Sequence, residues 1–192
     1  MRTATRVCLG LLAGAVVVLA ASGVWLWFNY LPTAAQAWPT LKGPHAVSWV
    51  RQVHRVASSV VIWLALACLV LLVIRRVRTG GRGVVAGVAL LVTALAASFT
   101  GYLLPWDQLA LWAVTVGTNM RGIQPLFDSR AKYILIGSHE VSPSTYHFWA
   151  ISHLVLGLLV AAAASLAWMR THESRPAPEP DADPEPELVR SS

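Results

Sequence analysis

Two of the six histidines in this 192-residue chain, His54 and His153, fall inside long apolar stretches. The other four, His45, His139, His147 and His172, lie near or beyond the ends of such stretches. An ionisable side chain within a membrane span is uncommon and points to function by default. A neutral imidazole is a good iron ligand, and two on facing helices can hold a haem edge-on inside a bundle. The competing reading is a pair of hydrogen-bonded core histidines, and spacing alone leaves both open. Arg51, three residues before His54, shares its helical face and is within reach of a haem propionate. Arg55 adds charge at the same depth.

Helices must position these groups. A bilayer span needs about 20 mostly apolar residues, and four stretches qualify, at about 7–28, 46–74, 83–104 and 146–169. The first could instead be a cleaved leader ending at Ala20-Ala21-Ser22. The apolar run through Val24-Trp25-Leu26-Trp27-Phe28 favours a full span with an interfacial aromatic belt. The fold class is therefore an all-α membrane protein with a four-helix transmembrane bundle over residues 1–172. Gly23 and Gly101 fall at the depth of the two histidines, where a missing side chain lets a backbone approach the face of a flat group. A lone glycine in a span also serves helix packing; two at this depth form a better constellation.

Composition agrees. Hydrophobic residues make up 56% of the chain and charged ones 12%, with mean hydropathy +0.57. This excludes a disordered protein, a disulfide-rich scaffold and a nucleic-acid binder. The net charge is +6, yet six of the nine acids lie in residues 173–192, a Pro/acidic tail with too little apolar surface to fold alone. The body is thus strongly basic. Arg2 and Arg6, then Arg75, Arg76, Arg78 and Arg82, then Arg170 and Arg175 fall on one side of an even number of spans. The positive-inside rule places that side, with both termini, in the cytoplasm of a cell whose plasma membrane the chain crosses. His54 and His153 then lie near the outer face. Cys8 and Cys68 both lie toward the cytoplasmic side, where a disulfide is not expected, and read as small core residues.

The run Arg51-Gln-Val-His54-Arg55 before an apolar helix resembles the ligand helix of cytochrome b, the quinol-oxidising subunit of bc-type complexes. Gly101-Tyr-Leu-Leu-Pro-Trp-Asp107-Gln-Leu-Ala-Leu-Trp112 resembles that family's most recognisable motif. Asp107 and the spacing from Gly137-Ser138 to His153 favour the short plastid and cyanobacterial type. The resemblance covers about residues 8–172, the family's N-terminal half.

The resemblance implies a haem-binding bundle with two stacked haems b, each held by one histidine from the second and one from the fourth span. The outer ligands carry over to His54 and His153, the close-approach glycines to Gly23 and Gly101, and a propionate partner to Arg51. The family's further propionate arginine aligns with Phe148, beside His147. The inner ligand of the second span should lie fourteen residues past His54, about 21 Å along the same face, but that position is Cys68. The inner ligand of the fourth span falls on Ala167 or Trp168. The inner glycine of the first span falls on Leu9, beside Gly10, while that of the third is kept at Gly87. The expectation is one haem, with the inner pocket closed by Ala161–Ala164 and Trp168. Cys8-Leu9-Gly10 resembles the short type's haem-attachment cysteine, displaced by one residue.

By the same resemblance, Trp112, Ala113, Val116 and Gly117 would lie on an interfacial helix lining a quinol pocket, although an amphipathic surface helix explains this stretch equally well. The opposite wall, a Pro-Glu-Trp-Tyr motif, belongs to a C-terminal half absent here. Implied partners are a membrane quinol, a C-terminal cytochrome b subunit, a Rieske iron–sulfur protein or other redox subunit, and a second copy in a homodimer. The expected role is a subunit of a quinol-oxidising complex rather than an enzyme alone. The alternatives are a haem-bearing anchor of another oxidoreductase and a haem-free structural subunit.

Overall fold

A computed structural model of the chain describes residues 2–33, 35–79, 83–119 and 143–172. The tail at 173–192 and the stretch holding Gly137, Ser138, His139 and Glu140 lie outside the described residues. The described residues form these helices in order: α1 Arg2–Phe28, α2 Ala37–Lys42, α3 His45–Thr79, α4 Val84–Leu103, α5 Gln108–Asn119 and α6 Pro143–His172. There is no strand among the described residues.

Four of these helices, α1, α3, α4 and α6, are long and apolar enough to span a bilayer. None buries more than 28% of its apolar stretch within the chain, as expected when lipid or a partner covers the rest. Local signals set their ends. Gly83 precedes α4 with φ 123°, a conformation that favours glycine. Pro105 follows α4 closely and cannot continue it. Pro143 opens α6, where a missing amide proton costs nothing.

The helices form a ring in which α1 packs on α3, α3 on α4, α4 on α6 and α6 on α1. One end of the bundle carries the two histidines, the other the two cysteines. At the cysteine end the centre is filled by Leu9 and Leu12 of α1, Val61, Ala65 and Cys68 of α3, Leu90 and Ala94 of α4, and Val160, Ala163 and Ala167 of α6. Small residues dominate, which suits spans that associate by close packing rather than by exclusion of water.

Three expectations are corrected here. Cys8 and Cys68 are joined by a disulfide, with Cα atoms 5.9 Å apart. Burial on adjoining helix faces shields the bond from the aqueous thiols of the compartment. Trp168 does not close this end: it is exposed, because one residue along a helix turns the side chain by about 100° and Ala167 takes the inward position. Of the four alanines, Ala163 is buried, Ala161 and Ala164 are partly so, and Ala162 faces outward.

The histidine end is roofed by α2 and α5. Ala37 of α2, Leu103, Trp106, Ala110 and Val114 pack with Tyr146 and Trp149 of α6. Tyr30 donates to the Leu104 carbonyl at 2.6 Å, tying the end of α1 to the end of α4. Burial, aided by Tyr146, pushes the Tyr30 hydroxyl above the ordinary tyrosine range. Asp107 caps α5: its Oδ1 accepts from the Ala110 amide at 2.9 Å. Between α4 and α5 the chain turns at Trp106, whose φ of 49° is left-handed. That conformation costs about 1–2 kcal/mol; the indole is buried against Tyr146, ring centroids 4.6 Å apart.

Candidate functional site

His54 of α3 and His153 of α6 meet near the centre of the bundle. Their ring centroids are 6.2 Å apart and the ring planes cross at 70°. Each ring is held by the neighbouring helix in the same way. His54 Nδ1 lies 2.9 Å from Ser22 Oγ on α1. His153 Nδ1 lies 3.0 Å from Thr100 Oγ1 and 3.0 Å from the Ala97 carbonyl on α4.

These contacts assign the tautomers. A carbonyl only accepts, so His153 Nδ1 carries the proton and donates to Ala97. Thr100 places its own proton on the same carbonyl, at 2.9 Å. Ser22 Oγ is 2.7 Å from the Val18 carbonyl, to which it donates, so its lone pair receives the proton of His54 Nδ1. Both rings then keep the Nε2 lone pair free. An imidazole fixed through Nδ1 and basic at Nε2 is the usual state of a metal-binding histidine.

Glycines make the contacts close. A Cβ on Gly23 would stand 3.1 Å from His54 Cε1, and one on Gly101 would stand 2.8 Å from His153 Cε1. The site is thus built twice, as Ser22-Gly23 against His54 and as Thr100-Gly101 against His153. The sequence reading named both glycines and missed the role of both hydroxyls, although the repeated hydroxyl-glycine pair was there to be seen.

Other expected site residues are placed differently. The Arg51 guanidinium lies over the Trp38 ring of α2, 5.7 Å from its centroid, with Lys42 Nζ also against that ring at 4.6 Å. It remains at the histidine end, with Arg55 and Asp107 within electrostatic reach. Arg55 is exposed and is not brought to the histidine pair. His147 is exposed and bonds the Pro143 carbonyl, and Phe148 packs on Trp149. On α5, Trp112 and Val116 lie one turn apart and are exposed, continuing an apolar stripe from Leu109. Ala113 is half-buried, and Gly117 lies in the same helix.

Two buried indole N–H groups, on Trp106 and Trp149, have no acceptor among the described residues. Trp149 lies one turn before His153 on the same face of α6. A buried donor left unpaired costs about 1–3 kcal/mol, so an acceptor supplied from outside the chain would be a net gain.

A cofactor suits this donor set. Metal–imidazole bonds are about 2 Å long and the ring centre lies about 1 Å behind the nitrogen, so two imidazoles sharing one metal would have centroids within about 6 Å of each other. His54 and His153, with ring centroids 6.2 Å apart, are the residues that would hold it. At the cysteine end the same test fails: Cys68 sulfur is bonded to Cys8, Ala167 has no donor and Trp168 faces outward. Gly87 is retained, but its open side meets Leu69 and Leu72 rather than an imidazole. A family model described as cytochrome b/b6/petB matches residues 3–175.

Proposed function

Since the chain belongs to the cytochrome b family and is a membrane electron-transfer subunit of that kind, we propose that it holds a single haem b between His54 and His153 and takes part in quinol oxidation within a bc-type complex. The observation that carries this reading is the facing pair of imidazoles, each engaged through Nδ1 and free at Nε2. Ser22, Thr100 and the Ala97 carbonyl orient the rings, and Gly23 and Gly101 keep side chains clear of them. Trp149 offers the N–H that a propionate carboxylate would accept. Arg51 and Arg55 supply positive charge at this end. When bound, the haem iron carries one electron at a time between its ferric and ferrous states.

Among the described residues no second pair of facing imidazoles occurs, so on this reading electron exchange belongs to the histidine end. By the positive-inside rule that end faces out of the plasma membrane, with both termini cytoplasmic. A quinol ring would lie against Trp112, Ala113, Val116 and Gly117 of α5, where the apolar stripe is exposed. The opposite wall would come from a C-terminal cytochrome b subunit, and the acceptor would be a Rieske protein or another outward-facing redox subunit. Electron traffic confined to one end also suits an anchor for a different oxidoreductase, which the test below separates.

His54→Ala and His153→Ala should each abolish the reduced-minus-oxidised b-type spectrum while the helical circular dichroism is kept. An unchanged spectrum would remove both residues from the ligand set. Quinol added to native membranes should reduce the haem of the unaltered protein. Reduction only by a co-purified partner subunit, and never by quinol, would favour the anchor.

A further inference from the structure

We infer that Cys8 and Cys68 are a reversible dithiol–disulfide couple embedded in the membrane, oxidised by a lipid-soluble quinone. The pair joins α1 to α3 with Cα atoms 5.9 Å apart, inside the usual span of a disulfide. The reduced form also has a place. In the reduced form the Leu64 carbonyl, 3.7 Å from Cys8 Sγ, would be an acceptor for the Cys8 S–H.

The surroundings select the oxidant. Cys68 is 2% exposed and Cys8 8%. Their neighbours are apolar, including Leu9, Leu12, Ala65 and Leu90. Charged, water-soluble disulfides such as oxidised glutathione are poorly suited to this environment. A benzoquinone or naphthoquinone headgroup is uncharged, dissolves in the bilayer and takes up two electrons with two protons. The exchange balances: two thiols lose two electrons and two protons, one S–S bond forms, and the quinone is reduced to quinol. Cys8, the less buried residue of the two and close to the start of α1, would be the point of first contact. The inference goes beyond the haem reading and does not depend on how many haems are bound.

Full-length protein, purified without reductant, is unfolded in detergent and treated with a maleimide-polyethylene glycol. No adduct is expected before dithiothreitol, and two after it. Reduced protein in anaerobic lipid nanodiscs is then given decylubiquinone or a menaquinone analogue. The adducts should disappear as about one quinol forms per chain, at least tenfold faster than with oxidised glutathione or with air alone. Cys8→Ser should form no quinol. Two reactive thiols in the protein as purified would overturn the inference. So would inertness to quinone, or equal rates with oxidised glutathione or air. Haem absorbance read in the same samples reports the His54–His153 site separately.

Discussion

His54 and Cys68 lie on one face of α3, fourteen residues apart, and each is tied to α1 at the matching depth. Ser22 holds His54 through a hydrogen bond, and Cys8, fourteen residues before Ser22, holds Cys68 through a disulfide. Fourteen residues bring a helix back to nearly the same face about 21 Å further on. The antiparallel pair α1 and α3 therefore repeats one register of contact with two chemistries. One end presents a free imidazole nitrogen, and the other presents a covalent staple.

The hydrogen bonds to Nδ1 should tune ligand strength. Ser22→Ala and Thr100→Val each remove a hydroxyl beside a ring proposed as a ligand, and loss of such a partner commonly costs 10–100-fold in metal affinity. Thr100→Val should cost less than Ser22→Ala, because the Ala97 carbonyl still accepts from His153. Haem titration into the haem-free protein checks both the loss and the order.

Glycine substitutions should divide by position. Gly101→Ala drives a Cβ to 2.8 Å from the His153 ring and should lower haem content several-fold. Gly23→Ala, at 3.1 Å, should do so less, and Gly14→Ala, with nothing within 4 Å, should leave it unchanged. The haem-to-polypeptide ratio of the three purified variants provides the comparison.

The fold was legible because each span is a long uncharged run, and an even number of spans with basic ends gives few ways to arrange them. His54, His153, Gly23 and Gly101 were legible because ionisable groups and glycines stand out against Leu, Val and Ala. Ser22 and Thr100 were hidden by their modest polarity, since either is also a common residue that bonds back to its own helix. The Cys8–Cys68 bond was hidden because it depends on how two distant helices face each other. Trp168 was misplaced because a change of one residue decides whether a helical side chain points inward or to lipid. The helix α2 was missed because its six residues contain Pro39 and no apolar periodicity.

Trp149→Phe removes a buried N–H that has no acceptor among the described residues. The haem-free chain loses indole packing and an unpaired donor together, so its stability should change less than that of the haem-loaded chain. Haem affinity should fall, because a charge-assisted bond to a propionate is lost with it. Thermal unfolding of haem-free and haem-loaded variant separates the two effects. Equal destabilisation of both forms would assign Trp149 to packing alone.

Tyr30 should make the histidine end sensitive to alkali. Its hydroxyl is pushed above the ordinary value near 10 by burial, so the folded chain holds a proton that the unfolded chain releases. The stabilisation is complete below pH 10 and declines as pH rises above it. Tyr30→Phe should remove this decline. Chemical denaturation of the two proteins at pH values below and above 10 checks this.

The most direct test of the account counts haem in the purified full-length protein by pyridine haemochrome against polypeptide concentration. One proposed site at the histidine end, and a cysteine end stapled by Cys8 and Cys68, predict about one haem b per chain. That ratio should hold in Cys68→Ala and fall to zero in His54→Ala. A ratio near two in the unaltered protein would contradict the account.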